Sequence, residues 1–313
     1  MLTFVCRRLL STIPVMLFIA LFVFSLLYLA PGDPAALIAG DQASQAQIDA
    51  LRVTLGLDQP FYIRFVGWLG HALRGDLGIS IFSQLPVTTL IGQRLEPTLS
   101  LMLLTVIISV CIAVPMGVLA AANQGRWIDR TVMAVAVFGF SVPVFVVGYL
   151  LSWVFAIRLN LLPVQGYTPL AEGFAPFLAN LTLPAIALSC VYVALIARIT
   201  RTSMIDVLSQ DYIRTARAKG LGQGPILFVH ALKNASVPIV TVIGIGIALL
   251  IGGAVVTETV FAIPGVGRLV VDAILRRDYP VIQGVVLLFS VAYVLINLAI
   301  DLLYTVLDPR VRY

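Results

Sequence analysis

The sequence has few charged residues. Asp, Glu, Lys and Arg make up 11% of its 313 residues, whereas 60% are hydrophobic, and the mean hydropathy is +1.04. A soluble domain carries about 25% charged residues, so this shortage excludes an ordinary soluble protein and indicates a membrane protein. The net charge is +5, but no surface of alternating aromatic and basic residues accompanies it, so nucleic-acid binding is not expected.

Residues that bind metals or take part in redox chemistry are also scarce. The three cysteines, Cys6, Cys111 and Cys190, match neither a metal-site spacing nor a disulfide framework. The two histidines, His71 and His230, are isolated, and we expect neither to have a carboxylate partner. No Gly-x-x-x-x-Gly-Lys-Ser/Thr phosphate loop is present. The sequence therefore predicts no metal site, no catalytic residue and no ATP site in this chain.

Long uncharged stretches divide the chain into candidate membrane spans. Six runs of at least 22 residues contain no Asp, Glu, Lys or Arg: 9–32, 97–125, 131–157, 173–197, 234–257 and 279–300. Each is long enough for a helix to cross about 30 Å of hydrocarbon, and a helix satisfies its own backbone hydrogen bonds, as lipid requires. The sequence predicts an all-α membrane protein with six transmembrane helices. The first run ends without a small-residue cleavage site, which predicts an uncleaved anchor.

Prolines and glycines interrupt the predicted spans. Because a proline removes a helical hydrogen bond that neighbouring helices can replace, the prolines are candidate kinks; they are Pro115, Pro143, Pro184 and Pro238. Packing irregularity without a functional role explains any single one equally well. Glycines in the fifth run allow close approach of helices; they are Gly244, Gly246, Gly252 and Gly253.

The distribution of Lys and Arg predicts the orientation. With the N-terminus inside, the inner segments hold twelve basic residues and the outer segments eight, of which four lie in the long segment 33–96 that the positive-inside rule largely discounts. Both termini and residues 211–235 are therefore predicted to be cytoplasmic. Within 33–96, short helices are predicted around residues 46–55 and 61–73, on the outer membrane surface. The uncharged stretch 77–93 is too short and too polar to span.

Residues 211–235 have the pattern of a short, exposed helix. Asp211 is predicted as the N-cap, a helix of about two turns follows from Tyr212 to Lys219, and Gly220 takes the left-handed position that ends it. Pro225 suits the first position of the next helix. A helix this short needs a surface on which to dock. Its basic residues have two possible explanations. They are either ordinary loop charges beside a membrane or part of a helix that docks into a soluble partner.

This segment resembles the coupling helix of permease subunits of ATP-binding-cassette (ABC) importers, in the peptide-permease subfamily. The general family pattern is Glu-Ala-Ala, three residues, Gly, nine residues and Ile-x-Leu-Pro. Ala216, Gly220 and Leu232 match it, whereas Arg214, Thr215 and Lys233 replace its Glu, first Ala and Pro. The string Tyr-Ile-Arg-Thr-Ala-Arg-Ala-Lys-Gly-Leu at 212–221 is how the peptide-permease branch itself reads.

Short strings along nearly the whole chain carry the same resemblance. They are Arg-Arg at 7–8, Pro-Gly-Asp-Pro at 31–34, Leu-Gly-Leu-Asp-Gln-Pro at 55–60, Gly-Asp-Leu-Gly-Ile-Ser at 75–80, Pro-Gly-Val-Gly-Arg at 264–268, Arg-Asp-Tyr-Pro at 277–280 and Asp-Pro-Arg at 308–310. The resemblance implies the type I ABC importer permease fold. It implies an N-terminal anchor helix at 1–32, an extracytoplasmic segment at 33–96, a core domain with five transmembrane helices at 97–307, a coupling helix at 211–224 and a cytoplasmic tail at 308–313.

The resemblance also implies a five-part importer in the bacterial inner membrane. This chain would pair with a second, homologous permease subunit above two ATPase subunits that bind ATP and Mg²⁺, and an extracytoplasmic binding protein would deliver the substrate. Closure of the ATPases would displace the coupling helix and switch the access of the cavity. The implied ATPase-coupling residues are Asp211, Tyr212, Arg214, Thr215, Ala216, Arg217, Ala218, Lys219, Gly220 and Leu221. The residues implied to face the binding protein or to form an outer gate are Asp33, Asp76, Glu258, Arg268, Asp272, Arg277 and Asp278.

Two other classes of protein fit the sequence less well. A stand-alone secondary transporter usually carries ionisable residues at membrane depth, and the six runs hold no Asp, Glu, Lys or Arg. An intramembrane enzyme would need a nucleophile with a base, and neither histidine lies in a run. The expected substrates are dipeptides or oligopeptides first, then glutathione, then opines or nickel complexes, since an uncharged path is compatible with each.

Overall fold

The computed structural model describes residues 2–29, 34–39, 43–54 and 58–307, which are mostly helical. Apart from an isolated antiparallel bridge between Ile79 and Pro86, no β-structure occurs in these ranges. The chain forms two compact units, Met1–Leu95 with Leu269–Leu295, and Glu96–Arg268 with Ile296–Tyr313. The predicted all-α class is confirmed.

Within the described ranges, four helices precede residue 87. They are α1 (Leu2–Leu29), α2 (Pro34–Ala39), α3 (Gln45–Thr54) and α4 (Phe61–Leu73). The two predicted short helices therefore form. The aromatic face of α4 packs on α1, because the buried ring of Phe24 lies 5.3, 5.5 and 5.5 Å from the rings of Phe61, Phe65 and Trp68. This aromatic cluster holds α4 against α1.

Long apolar helices account for the predicted spans. They are α5 (Val87–Ala122), α8 (Phe174–Leu208), α13 (Tyr279–Leu307) and the helical stretch Gln223–Val260, whose main part is α11 (Leu232–Val260). Four helices in the described residues are long and apolar enough to cross a membrane, or five if the bent pair below counts as one. In α1 the described apolar stretch is Leu10–Ser25, so a sixth span stays a prediction.

The predicted span 131–157 is broken in the middle. α6 (Trp127–Ser141) and α7 (Val144–Leu151), which a π-helical turn extends to Arg158, meet at an angle of 99°. Val142 is extended (φ −87°, ψ 127°) and Pro143 is the N-cap of α7, because the residue before a proline avoids helical geometry. The candidate kink at this position is therefore a break. The other three prolines lie inside continuous helices: Pro115, Pro184 and Pro238.

The second unit is built around α8, which packs against α6, α7 and α11. Glycines bring the helices close: a Cβ on Gly117 of α5 would lie 2.5 Å from the Thr200 Cβ of α8. The predicted close approach also holds at three of the four glycines of α11. A Cβ would lie 2.5, 3.3 and 3.0 Å from neighbouring side chains at Gly244, Gly246 and Gly253. Gly252 faces open space, so the prediction was wrong there.

The start of α5 differs from the uncharged run. The helix begins at Val87 rather than at residue 97, so the second half of the stretch 77–93 is helical and Glu96 lies inside the helix. The Glu96 carboxylate accepts hydrogen bonds from the Tyr167 hydroxyl (2.9 Å) and from the Leu170 amide (3.2 Å). Burial raises the pKa of Tyr167, which keeps its hydroxyl a neutral donor. These bonds hold the segment between α7 and α8 to α5.

Candidate functional site

Residues 211–221, called the basic segment below, form a short helix that is anchored by one buried side chain. The helix is α9 (Asp211–Ala218), and Ile213 is its only fully buried residue, at 0% exposure. The helix α9 contacts the π-helical turn Ile226–Ala231 that leads into α11. Ala216 is half-buried and the other six residues of the helix are exposed. Most of the surface of this two-turn helix is therefore exposed.

The start of α9 differs from the prediction. Gln210, not Asp211, occupies the N-cap, and no side chain makes a capping hydrogen bond there. Asp211 is the first helical residue, where its negative charge still suits the helix dipole. The next helix, α10 (Gln223–Pro225), begins at Gln223, so Pro225 is its third residue rather than its first.

The end of α9 follows the prediction. Gly220 has a φ of +82°. Its amide donates to the Arg217 carbonyl (2.9 Å), and the Leu221 amide donates to the Ala216 carbonyl (3.2 Å). This pair of bonds is a Schellman motif, in which glycine supplies the left-handed residue.

The exposed surface of the basic segment is aromatic and basic. Tyr212 is 45% exposed, and Arg217 and Lys219 are also exposed. Arg214 pairs with Asp211 at 3.2 Å, with side-chain exposures of 74% and 93%. A solvated pair of this kind fixes neither side chain firmly, so both charges stay accessible to a partner.

A hydrogen-bonded junction joins α9 to α8. Only Ser209 and Gln210 lie between the two helices. The Ser209 amide donates to the Ile205 carbonyl (3.2 Å), the Gln210 amide donates to the Val207 carbonyl (3.1 Å), and the Gln210 carbonyl accepts from the Ile213 amide (3.1 Å). No unbonded stretch therefore separates the two helices.

A buried carboxylate organises the connection between α11 and α12 (Val266–Arg276). Glu258 is 0% exposed. Its Oε1 accepts from the Thr98 hydroxyl (2.6 Å), and its Oε2 accepts from the Arg268 amide (2.9 Å). The Thr98 oxygen in turn accepts from the Val266 amide (2.8 Å). A carboxylate buried without such donors would be costly, so these bonds fix the start of α12 against α5 and α11.

The Pro-Gly-Val-Gly-Arg string closes around the Glu258 carboxylate. A Cβ on Gly265 would lie 2.2 Å from the Glu258 Cδ. A Cβ on Gly267 would lie 2.7 Å from the Val255 Cα and 2.9 Å from the Glu258 Oε2. Neither position has room for a side chain, so close approach to Glu258 and α11 requires both glycines.

A second buried carboxylate holds a turn in the first unit. Asp278 is 4% exposed and accepts from the Ser80 hydroxyl (2.5 Å) and from the amides of Ile81 (3.2 Å) and Phe82 (3.5 Å). Asp278 of the Arg-Asp-Tyr-Pro string therefore binds Ser80, the last residue of the Gly-Asp-Leu-Gly-Ile-Ser string that precedes α5.

The predicted outer-gate residues differ in burial and in their hydrogen-bond partners. Asp76 lies 3.1 Å from the Nδ1 of His71, so the expectation that His71 lacks a carboxylate partner was wrong. Arg277 is exposed, and Arg268 and Asp272 are half-buried. Asp33 lies outside the described residues. A gating role for this group stays a prediction, while Glu258 and Asp278 hold loops in place.

Sequence reasoning missed the hydrogen-bond donors of these carboxylates and one further ion pair. Thr98 belongs to no quoted motif, and Ser80 ends the string at 75–80 without any local sign of its partner. Arg201, one of the twelve basic residues on the predicted inner side, binds Asp129 with 2.7 Å between Nη2 and Oδ2. Their positions could have indicated this pair, because both residues lie within four residues of an uncharged run. An unpaired charge close to lipid costs free energy. Within the described ranges, no group of three or more His, Cys, Asp or Glu residues could hold a metal ion.

Comparison with known proteins gives matches along the whole chain. The family described as "Binding-protein-dependent transport system inner membrane component" matches residues 113–313, and the N-terminal family of the same systems matches residues 1–102. A probable peptide ABC transporter permease protein of Sinorhizobium fredii is 56% identical, over 99% of both chains. The glutathione transport system permease protein GsiC of Escherichia coli is 43% identical, over 100% of both chains.

Solved structures give the same fold at low identity. An inward-facing structure of the MetNI methionine ABC transporter matches with a TM-score of 0.59 at 18% identity, covering 70% of this chain and 96% of that chain. The family matches and the full-length relatives identify the class of protein, and the helical spans agree with it. The chain belongs to the family of inner-membrane components of binding-protein-dependent transport systems, the permease subunits of ABC importers.

Proposed function

We propose that this permease carries dipeptides or short oligopeptides across the bacterial inner membrane. Support for a peptide substrate comes from the 56% identity to a relative named for peptide transport. The relative named for glutathione transport, at 43% identity, keeps glutathione, itself a short peptide, as the first alternative. Opines and nickel complexes are further alternatives, and a stand-alone secondary transporter is a remote one.

The exposure of the basic segment is the observation that carries the proposed mechanism. Ile213 is the one fully buried residue of α9, and the outer surface of the helix offers Tyr212, Arg214 and Arg217. The sequence has no phosphate loop of its own, so we infer that a separate ATPase subunit binds ATP. We infer that a groove on this subunit binds the exposed surface of α9. Closure of the ATPase subunits around ATP would then displace α9 and α8 and switch the cavity between inward-facing and outward-facing states.

The complex that we infer has five parts. A second, homologous permease subunit pairs with this chain, two ATPase subunits bind ATP and Mg²⁺, and an extracytoplasmic binding protein delivers the substrate. The twelve basic residues on the inner segments support an orientation with both termini and the basic segment in the cytoplasm. In this orientation α4 and the connection from α11 to α12 lie on the outer side, where the binding protein docks.

Reversing one exposed charge tests the docking surface. Arg217→Glu should lower the amount of ATPase subunit that co-purifies with the permease by about tenfold, or about 1.4 kcal/mol, because an arginine at a protein interface commonly contributes this much. The matched control is Arg198→Glu, which reverses another exposed arginine, on α8. Normal co-purification and normal transport with Arg217→Glu would show that the basic segment is not the docking site.

A further inference from the structure

A partly buried ion pair joins α6 to α8. The Arg201 Nη2 lies 2.7 Å from the Asp129 Oδ2, and the Arg201 Nε binds the Asp129 Oδ1, so the contact is bidentate. The Asp129 side chain is 4% exposed and that of Arg201 26% exposed. The Gly125 amide also donates to the Asp129 Oδ2 (2.9 Å). A bidentate pair of arginine and carboxylate fixes direction as well as distance, so α8 cannot rotate against α6 without breaking it.

Stability alone is a poor explanation for this pair. Removing two charges from water costs free energy that their attraction only partly offsets, and well-packed apolar residues commonly stabilise such a site equally well. What apolar packing does not supply is a directional link. The pair therefore suits a place where two helices move together without slipping.

Arg201 lies on the direct route from the basic segment. It is seven residues before the end of α8, about 10 Å at 1.5 Å per residue. α8 is helical without interruption over this distance, and its junction to α9 is hydrogen-bonded throughout. A displacement of the basic segment therefore reaches Arg201 through continuous helix.

α6 is held to α8 at a second point. Ten residues after Asp129, a Cβ on Gly139 would lie 3.4 Å from the Cys190 carbonyl oxygen of α8. Because the contacting residue numbers rise along α6 and fall along α8, the two helices are antiparallel and joined near both ends of α6. Beyond Gly139, α6 ends at Ser141 and the 99° break leads into α7.

We propose that Asp129 and Arg201 are positioning residues for transport. Their ion pair makes α6, and the bent segment beyond it, follow α8 when the basic segment is displaced. This inference rests on the proposed docking of the ATPase subunits to α9. A pair that only stabilised the fold would affect the yield of protein; a pair that transmits motion affects how much ATP is used for each molecule transported.

The first experiment measures that ratio. The assembled complex, reconstituted in vesicles, is assayed for uptake of labelled dipeptide and for ATP hydrolysis in the same preparation. With Asp129→Asn or Arg201→Gln, the ATPase subunits should co-purify normally, and ATP hydrolysed per peptide should rise by about fivefold or more, the lower end of typical coupling between sites. The double variant should be no worse than the worse single variant, since each breaks the same pair.

Matched controls remove the same charges elsewhere on α8. Asp206→Asn and Arg198→Gln change exposed residues and should leave the ratio unchanged. An unchanged ratio in the Asp129 and Arg201 variants would overturn the proposal, as would single-variant effects that multiply in the double variant. Failure of the docking proposal looks different, because then Arg217→Glu would not reduce co-purification.

A second experiment leaves the ion pair intact. The Cβ of a cysteine at 139 would lie 4.0 Å from the Cys190 Cβ, within the usual range of about 3.5–4.5 Å for a disulfide. In Gly139→Cys, with Cys6 and Cys111 replaced by serine, oxidation should link α6 to α8. If the helices move as one body, oxidised and reduced vesicles should take up dipeptide at the same rate. Uptake that stops on oxidation and returns on reduction would overturn the proposal.

Discussion

Gly265→Ala should disrupt the connection that Glu258 organises. The added Cβ would lie 2.2 Å from the Glu258 Cδ and 2.3 Å from both carboxylate oxygens. Glu258 cannot simply swing aside, because it is fully buried and bound by the Thr98 hydroxyl and the Arg268 amide. Either the carboxylate loses one of these two hydrogen bonds, or the connection between α11 and α12 moves away from α11.

The expected cost follows from these contacts. Losing one hydrogen bond to a charged group costs about 1.5–3 kcal/mol, and the overpacking adds about 1–3 kcal/mol. A total of about 2.5–6 kcal/mol is large beside a folding free energy of about 5–15 kcal/mol. We therefore expect Gly265→Ala to fold poorly or to lose its structure at a clearly lower temperature.

The assay is thermal inactivation of the purified complex in detergent, measured as the fraction that remains monodisperse after heating. Gly252→Ala in α11 is the matched control, because its Cβ would meet open space and alanine is favoured over glycine inside a helix by about 0.5–1 kcal/mol. Equal midpoints for Gly265→Ala and Gly252→Ala would refute the assigned role of the Glu258 carboxylate.

Three further substitutions have definite expected outcomes. Gly220→Val places a β-branched residue at φ +82°, where the added Cβ has no neighbour within 4 Å. The backbone strain of about 1–2 kcal/mol should reduce the amount of ATPase subunit that co-purifies. Unchanged co-purification would contradict the proposed role of the α9 terminus. Asp278→Asn should weaken the turn at Ser80 by about 1–3 kcal/mol, seen as faster proteolysis within residues 79–86; an unchanged cleavage rate would show that the buried charge is not needed there. Arg277→Gly relieves a left-handed residue (φ +57°) and should raise the thermal midpoint by the equivalent of about 1 kcal/mol; a lower midpoint would mean that the arginine side chain supports the turn.

The spans could be predicted because their cause is local. Lipid excludes charge from a helix that crosses it, so uncharged length alone locates α5, α8, α11 and α13. The end of α9 was also predictable, since the left-handed position in a Schellman motif favours glycine and Gly220 supplies it. The helix predicted at residues 61–73 also forms with those bounds, as α4.

The remaining features depend on contacts between distant parts of the chain. A proline marks an interruption, but whether it kinks or breaks a helix depends on the surrounding packing, as Pro143 and Pro184 show. Glu258 and Asp278 look like solvated loop charges in the sequence, because no local pattern reveals that Thr98 and Ser80 will meet them. The same holds for Asp129, whose partner is 72 residues away.

The central claim is that this permease moves short peptides when ATPase subunits act on its basic segment. Uptake of labelled dipeptide into vesicles that contain the complete complex, with glutathione and nickel as competitors, tests it most directly. We expect uptake that requires both ATP and the binding protein, is strongly reduced by Arg217→Glu and is retained by Arg198→Glu. Uptake that continues without ATP, or that is unaffected by Arg217→Glu, would contradict the mechanism, and transport of glutathione or nickel without dipeptide would contradict the proposed substrate.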